Sequence, residues 1–149
     1  MNKRTIFRCF PAFLCLACVA FLYGCASGPA VLQVTRLSVE GRDTLLGADI
    51  SVPRFSWEIQ SGKRDVKQTA YQLLVASSKE ALDKDDADIW NSGKVAADSS
   101  LNVTYKGKPL HSYQSLYWKV KVWTSENEEV SSQPSFWTVG LLQSTDWKA

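Results

Sequence analysis

The sequence predicts an all-β protein, an antiparallel two-sheet sandwich of about seven strands. Three observations predict it. Arg54–Gln60 and Leu116–Trp123 alternate apolar and polar residues with a period of two, the period at which side chains leave opposite faces of a strand. Turn-forming clusters at Ser61–Asp65, Lys106–Pro109 and Ser125–Val130 separate the apolar runs at short intervals. All six tryptophans lie beyond residue 25, in a stretch long enough for one domain and one core.

The elements follow in order. In Thr35–Val39, Leu37 and Val39 share a face. Residues 41–52 read as a long connection with two glycines, closed by Pro53, which cannot donate to a ladder and marks a strand start. In Arg54–Gln60, the side chains of Phe55, Trp57 and Ile59 point one way and the polar ones the other. Gln68–Ala76 places Tyr71, Leu73 and Val75 toward the core; its second face is also partly apolar, as in a central or covered strand. Ser78 is placed to cap a short helix through Lys84. Ile89–Val95 reads as a short edge strand and Leu101–Tyr105 as another. Leu116–Trp123 is the strongest element, with Leu116, Trp118, Val120 and Val122 on one face and Tyr117, Lys119, Lys121 and Trp123 on the other. Ser135–Val139 returns as the last strand. The domain is therefore expected over residues 31–142, with 143–149 beginning a linker to whatever follows.

Before the domain, Met1–Arg8 is basic, Phe10–Leu22 is apolar, and a small residue, Gly24, precedes Cys25. Those are the parts of a secretory signal over residues 1–24, and the apolar run is too short to span a bilayer. Leu22–Cys25 resembles a bacterial lipobox, which implies cleavage after Gly24 and a diacylglyceryl group on the Cys25 thiol. Each buried CH₂ contributes ~0.8 kcal/mol, so two or three acyl chains would hold the protein at a membrane. Residues 25–30 then form the lipidated Cys and a small, breaker-rich tether. Ala26 and Ser27 lack the Asp that the lipobox resemblance links to inner-membrane retention. The expected location is the cell envelope, on the periplasmic side of the outer membrane. Cys9, Cys15, Cys18 and Cys25 all lie in or at the end of this leader, which leaves the domain no disulfide and no thiolate metal site.

Charge excludes further classes. The whole sequence carries 17 Lys and Arg against 15 Asp and Glu, but Lys3, Arg4 and Arg8 belong to the leader. The near-neutral remainder has no electrostatic footprint for nucleic acid. Two acidic groups, Asp83, Asp85, Asp86 and Asp88 in one loop and Glu126, Glu128 and Glu129 in another, read as solvated charge. The first fails the calcium-loop pattern, because Asp88 stands where a Gly is needed and Lys94 where a Glu is. His111, the single histidine, has no partners for a triad or a zinc site. No catalytic residue, metal or cofactor is expected. Tyr117, Lys119, Lys121 and Trp123 are the candidate functional residues: aromatic planes flanked by cations can stack on sugar rings, or be covered by a neighbouring domain.

Five separated stretches carry a resemblance: Pro53–Trp57 (PRFSW), Gln68–Ser77 (QTAYQLLVAS), Asp88–Val95 (DIWNSGKV), Tyr117–Trp123 (YWKVKVW) and Gly140–Trp147 (GLLQSTDW). Together they resemble the N-terminal module of bacterial α-L-rhamnosidases. The resemblance implies a fibronectin type III or immunoglobulin-like sandwich ahead of further β domains and an (α/α)₆ barrel. In that family the barrel performs inverting hydrolysis of terminal α-L-rhamnosyl groups with two acidic residues, and none of those positions exists in this sequence. One departure is Leu116, which stands where fibronectin-like strands often carry a corner tyrosine. The implied role is a non-catalytic spacer and packing unit, with downstream domains of the same enzyme as partners. The alternatives are a carbohydrate-binding module for rhamnose-containing glycans and a stand-alone structural lipoprotein.

Overall fold

The computed structural model describes residues 31–146. The expected signal, Gly24, Cys25, the tether and Trp147 lie outside the described residues. Among those described, no helix is long and apolar enough to cross a membrane.

Two sheets enclose one core. The smaller holds β1 (Gln33–Val39), β3 (Arg54–Gln60) and β7 (Val103–Thr104) in the order β1-β3-β7. The larger holds β2 (Leu45–Ala48), β10 (Ser135–Val139), β8 (Ser115–Thr124), β4 (Gln68–Ala76) and β5 (Trp90–Asn91) in that order, with β6 (Val95–Ala96) on β4 and β9 (Glu129–Ser131) on β8. The all-β sandwich expected from the alternation is therefore present. Among the described residues it has ten strands where about seven were expected, and β2 runs parallel to β10 where an antiparallel sandwich was expected.

The extra strands have local causes. β2 lies inside the segment read as a connection, because its buried residues, Leu45 and Ala48, are three apart. Gly47, at φ +68°, breaks the alternation between them. β9 occupies the end of the segment read as a polar turn; its hydrogen bonding to β8 needs no apolar pattern. The single edge strand expected over Ile89–Val95 is two, β5 and β6, interrupted by Gly93 at φ +64°. In β1 the register shifts between Thr35 and Ser38, where Arg36 adopts φ +47°. That bulge turns both Val34 and Val39 into the core despite their opposite parity.

Phe55, Trp57, Leu73, Val75, Leu116, Trp118, Val120, Val122 and Trp137 are fully buried, as the alternation of β3, β4, β8 and β10 requires. Phe55 sits among rings, 4.7 Å from Trp118 and 5.3 Å from Trp137 centroid to centroid, both edge-on. Edge-to-face geometry places the positive rim of one ring on the negative face of another. The expected short helix is α1 (Lys79–Asp83), whose N-cap Ser78 Oγ accepts from Ala81 N at 3.1 Å. Its Leu82 is buried with Leu74 and Ala76, so α1 covers part of the outer face of β4. The second apolar face of β4 was the sign of that cover.

Candidate functional site

Tyr117, Lys119, Lys121 and Trp123 leave the outer face of β8, opposite the core residues, as expected. They do not form one aromatic and cationic platform. Tyr117 packs with the Leu74–Ala76–Leu82 cluster, and its ring lies 6.2 Å from that of Phe136 on β10. Lys119 and Lys121 converge on a single carboxylate: each Nζ lies 2.6 Å from one oxygen of Asp85. Trp123 donates its Nε1–H to Glu129 at 2.9 Å, and Lys94 Nζ stands 4.1 Å from its ring centroid.

Asp85 sits just beyond the C-cap of α1 with φ +60°, so its two lysine partners tie the helix end to β8. Hydrogen bonds from Lys119 and then Lys121 hold its carboxyl below the usual value of 3.8, against the opposing effect of burial. The acidic loop read as solvated charge is therefore corrected in part. Asp83 pairs with Lys79 and Asp88 accepts from Ser77 N at 2.8 Å. In the second group, Glu128 pairs with Lys63 and Glu129 holds Trp123. Lys63, Lys119 and Lys121 are distant in sequence from the carboxylates they meet, which is why charge runs alone did not disclose those pairs.

Asp85→Asn should lower stability by about 1–2 kcal/mol in urea unfolding. Removing one partner strands a charge on Lys119, whose side chain is only 11% exposed. The full cost of a broken buried pair is discounted because the carboxylate itself is half in solvent. The folded-state value is depressed, so the contribution is present above pH 3.8 and disappears as pH falls through the lower folded value. The variant should therefore lose part of the acid limb of the stability profile; an unchanged limb would show the clamp to be without consequence.

Sequence reasoning did not single out Phe136, 42% exposed, or Leu46, 64% exposed on the adjoining strand. The alternation of Ser135–Val139 could have found the first, since Trp137 is inward and its neighbour must face out. Three clefts on the described surface bear on catalysis. One, of ≈450 Å³ between β7 and the β5–β6 edge, includes Tyr71, Trp90, Asn102 and Lys106 and has no carboxylate in its wall. A second, of ≈470 Å³ beside the end of β10, has one, Asp146. The third holds Glu128 and Glu129, already engaged by Lys63 and Trp123. Inverting glycoside hydrolysis needs an acid and a base ~6.5–9.5 Å apart across a sugar, both free to exchange protons. His111 is exposed on the second cleft, and among the described residues no three His, Cys, Asp or Glu side chains gather as a metal site.

Comparison with known proteins agrees with the geometry. The family model described as Rha78A-like, N-terminal immunoglobulin domain, matches residues 34–143. An α-L-rhamnosidase of Formosa agariphila is 34% identical over 139 residues, covering 91% of this chain. One from Streptomyces avermitilis is 40% identical over 121 residues, covering 80%. The crystal structure of the Streptomyces avermitilis enzyme complexed with L-rhamnose matches with a TM-score of 0.75 over 80% of this chain. That of the α-L-rhamnosidase from Dictyoglumus thermophilum matches at 34% identity, also with a TM-score of 0.75, over 78%. This chain spans only 15% and 12% of the two curated relatives, and 12% and 13% of the two crystallised chains. With two sheets, a tryptophan-filled core and a family match over nearly all of the described residues, the chain belongs to the Rha78A-like N-terminal immunoglobulin domains.

Proposed function

We propose that this chain serves as the non-catalytic leading module of an α-L-rhamnosidase, a spacer that packs against the domains following it. One observation carries the reading: similarity covers 80–91% of this chain but 12–15% of the relatives, so it fills one module of a longer enzyme. The clefts support it by lacking a free carboxyl pair, and the strip formed by Tyr117 and Phe136 supports a packing role by leaving an aromatic ring half in water. A lipid on Cys25 would place the module between membrane and enzyme. Leu22–Cys25 supports that anchor.

The test has two arms. Residues 31–149 produced alone should release no rhamnose from an aryl α-L-rhamnoside, whereas the polypeptide encoded by the whole gene should. Release by the module alone, or an inactive whole-gene product, would overturn the assignment. Expressed with its leader, the protein should fractionate with membranes and incorporate labelled palmitate, and Cys25→Ala should abolish both. Labelling of that variant would rule out the anchor.

A further inference from the structure

β10 ends at Val139, and the segment that continues to Asp146 is pinned to the sandwich. Gly140 N donates to Ala48 O at 2.7 Å. A Cβ on Gly140 would lie 2.6 Å from Gly47 O, so only glycine allows that approach. Leu142 N donates to Ser112 Oγ at 2.9 Å, and Gln143 N to Asp146 Oδ2 at 3.1 Å. The Ser112 hydroxyl donates to the same carboxylate oxygen of Asp146. A flexible linker leaves such groups to water. Held in this way, the segment delivers the chain from a fixed point in a fixed direction.

The ≈470 Å³ cleft opens beside this exit, walled in part by Leu110, Tyr113, Leu142 and Asp146. Tyr113 is 73% exposed, the most exposed of the large hydrophobic residues described. Its backbone adopts φ +62°, a region that a bulky aromatic enters only at a cost in strain. Gly or Asn would make the same turn with less strain. Its amide donates to Gly140 O at 3.2 Å, which fixes the residue against the exit itself. Among the described residues the ring has no hydrogen-bond or aromatic partner, yet the backbone is held in a costly conformation that presents it.

We infer that the cleft around Tyr113 is the seat of the domain that follows in the same polypeptide. The inference rests on the reading of the chain as the leading module of a longer enzyme, and it names the surface that such packing uses. The occupant follows from where the chain leaves. Asp146 is part of the cleft wall, and each further residue carries the chain at most ~3.6 Å, so a domain beginning within a few residues stands over Tyr113. The relatives, of which this chain spans 12–15%, have the length to supply one. Among the described residues the wall mixes the apolar Leu110, Tyr113 and Leu142 with His111, Gln143 and Thr145, and its one carboxylate, Asp146, is already held by Ser112 and Gln143. That suits a neutral domain surface that brings hydrogen-bonding groups as well as apolar atoms.

Tyr113→Gly separates this role from a structural one, because it keeps the turn and removes only the ring. In the 149-residue chain alone, the melting temperature should stay the same or rise, as backbone strain is relieved. In the whole-gene polypeptide, protease cleavage between this module and the next domain should become about tenfold faster as the seat opens more often. Ser112→Ala, which unpins the exit, should accelerate the same cleavage. Equal destabilisation of chain and polypeptide by Tyr113→Gly would make the ring structural and overturn the inference. So would concentration-dependent dimerisation of the chain abolished by Tyr113→Gly, which would assign the cleft to a second copy. An active rhamnosidase whose cleavage rate ignores Tyr113→Gly overturns this inference alone; a whole-gene product with no further domain overturns the proposed function with it.

Discussion

Trp118→Ala should destabilise the domain by about 3–5 kcal/mol, the range for emptying a large aromatic site from a packed core. Trp118 is fully buried on β8 between the two sheets and meets Phe55 edge-on at 4.7 Å. Its removal would also leave Phe55 without one of the rings that fix its orientation. Against a total stability of about 5–15 kcal/mol for a domain of this kind, that loss brings the fold near its limit. Trp118→Phe should behave differently. The indole Nε1 of Trp118 has no hydrogen-bond partner among the described residues, and an unpaired buried donor is itself destabilising. Phenylalanine removes that donor while keeping most of the ring, so its loss should be about 1–2 kcal/mol. Urea unfolding of the two variants checks this. Equal midpoints would mean that neither cavity volume nor the orphan donor governs the site.

The pattern that makes Trp118 central was visible in the sequence because β8 is buried on one face along its whole length. Leu116, Trp118, Val120 and Val122 recur at the strand period, and the same holds for Phe55 and Trp57 on β3. β2 was not visible for the opposite reason. It has four residues, pairs in parallel through Trp137↔Leu45 and Val139↔Ala48, and carries a left-handed glycine between its two buried side chains. Short edge strands are stabilised by hydrogen bonds to a neighbour whose position is a property of the whole fold, so they leave little trace in local composition.

The candidate face shows the same division. Alternation placed Tyr117, Lys119, Lys121 and Trp123 on one side of the sheet, and they are there. What alternation cannot disclose is the approach of distant segments. Asp85 lies 36 residues from Lys121, and its carboxylate reaches both lysines only because α1 lands on Leu74 and Ala76. The apolar outer side of β4 signalled that something covers the strand; nothing local said that the cover would bring an acid with it. Tyr113 is a further case. In sequence it is one tyrosine in a turn, and its exposure beside the exit emerges only when Gly140 accepts its amide.

Gln68→Leu is the polar counterpart of the tryptophan truncation, with an expected loss of about 2–4 kcal/mol. Gln68 begins β4 and is buried, yet all its polar atoms are used. Its Oε1 accepts from Trp57 Nε1 at 3.0 Å, and its Nε2 donates to Ala97 O at 3.1 Å and Ser99 O at 2.9 Å. One side chain thus joins the larger sheet to Trp57 of the smaller one and to the segment that passes between the sheets. Leucine nearly conserves the volume, so the loss would measure three stranded partners rather than a cavity. Gln68→Glu separates the two halves of the amide. Its new carboxyl still accepts from the indole but, once ionised, turns a charged oxygen toward two carbonyls. Its folded-state pKa must then lie above the ordinary Glu value of about 4.3. A raised value gives the opposite sign to Asp85: stability is retained below about pH 4 and falls as pH rises through the folded pKa. Unfolding followed from pH 4 to pH 8 should show that decline in Gln68→Glu and not in the parent, while Gln68→Leu stays low throughout. A parallel pH profile for all three would mean that the bridge between the sheets is not made through this amide.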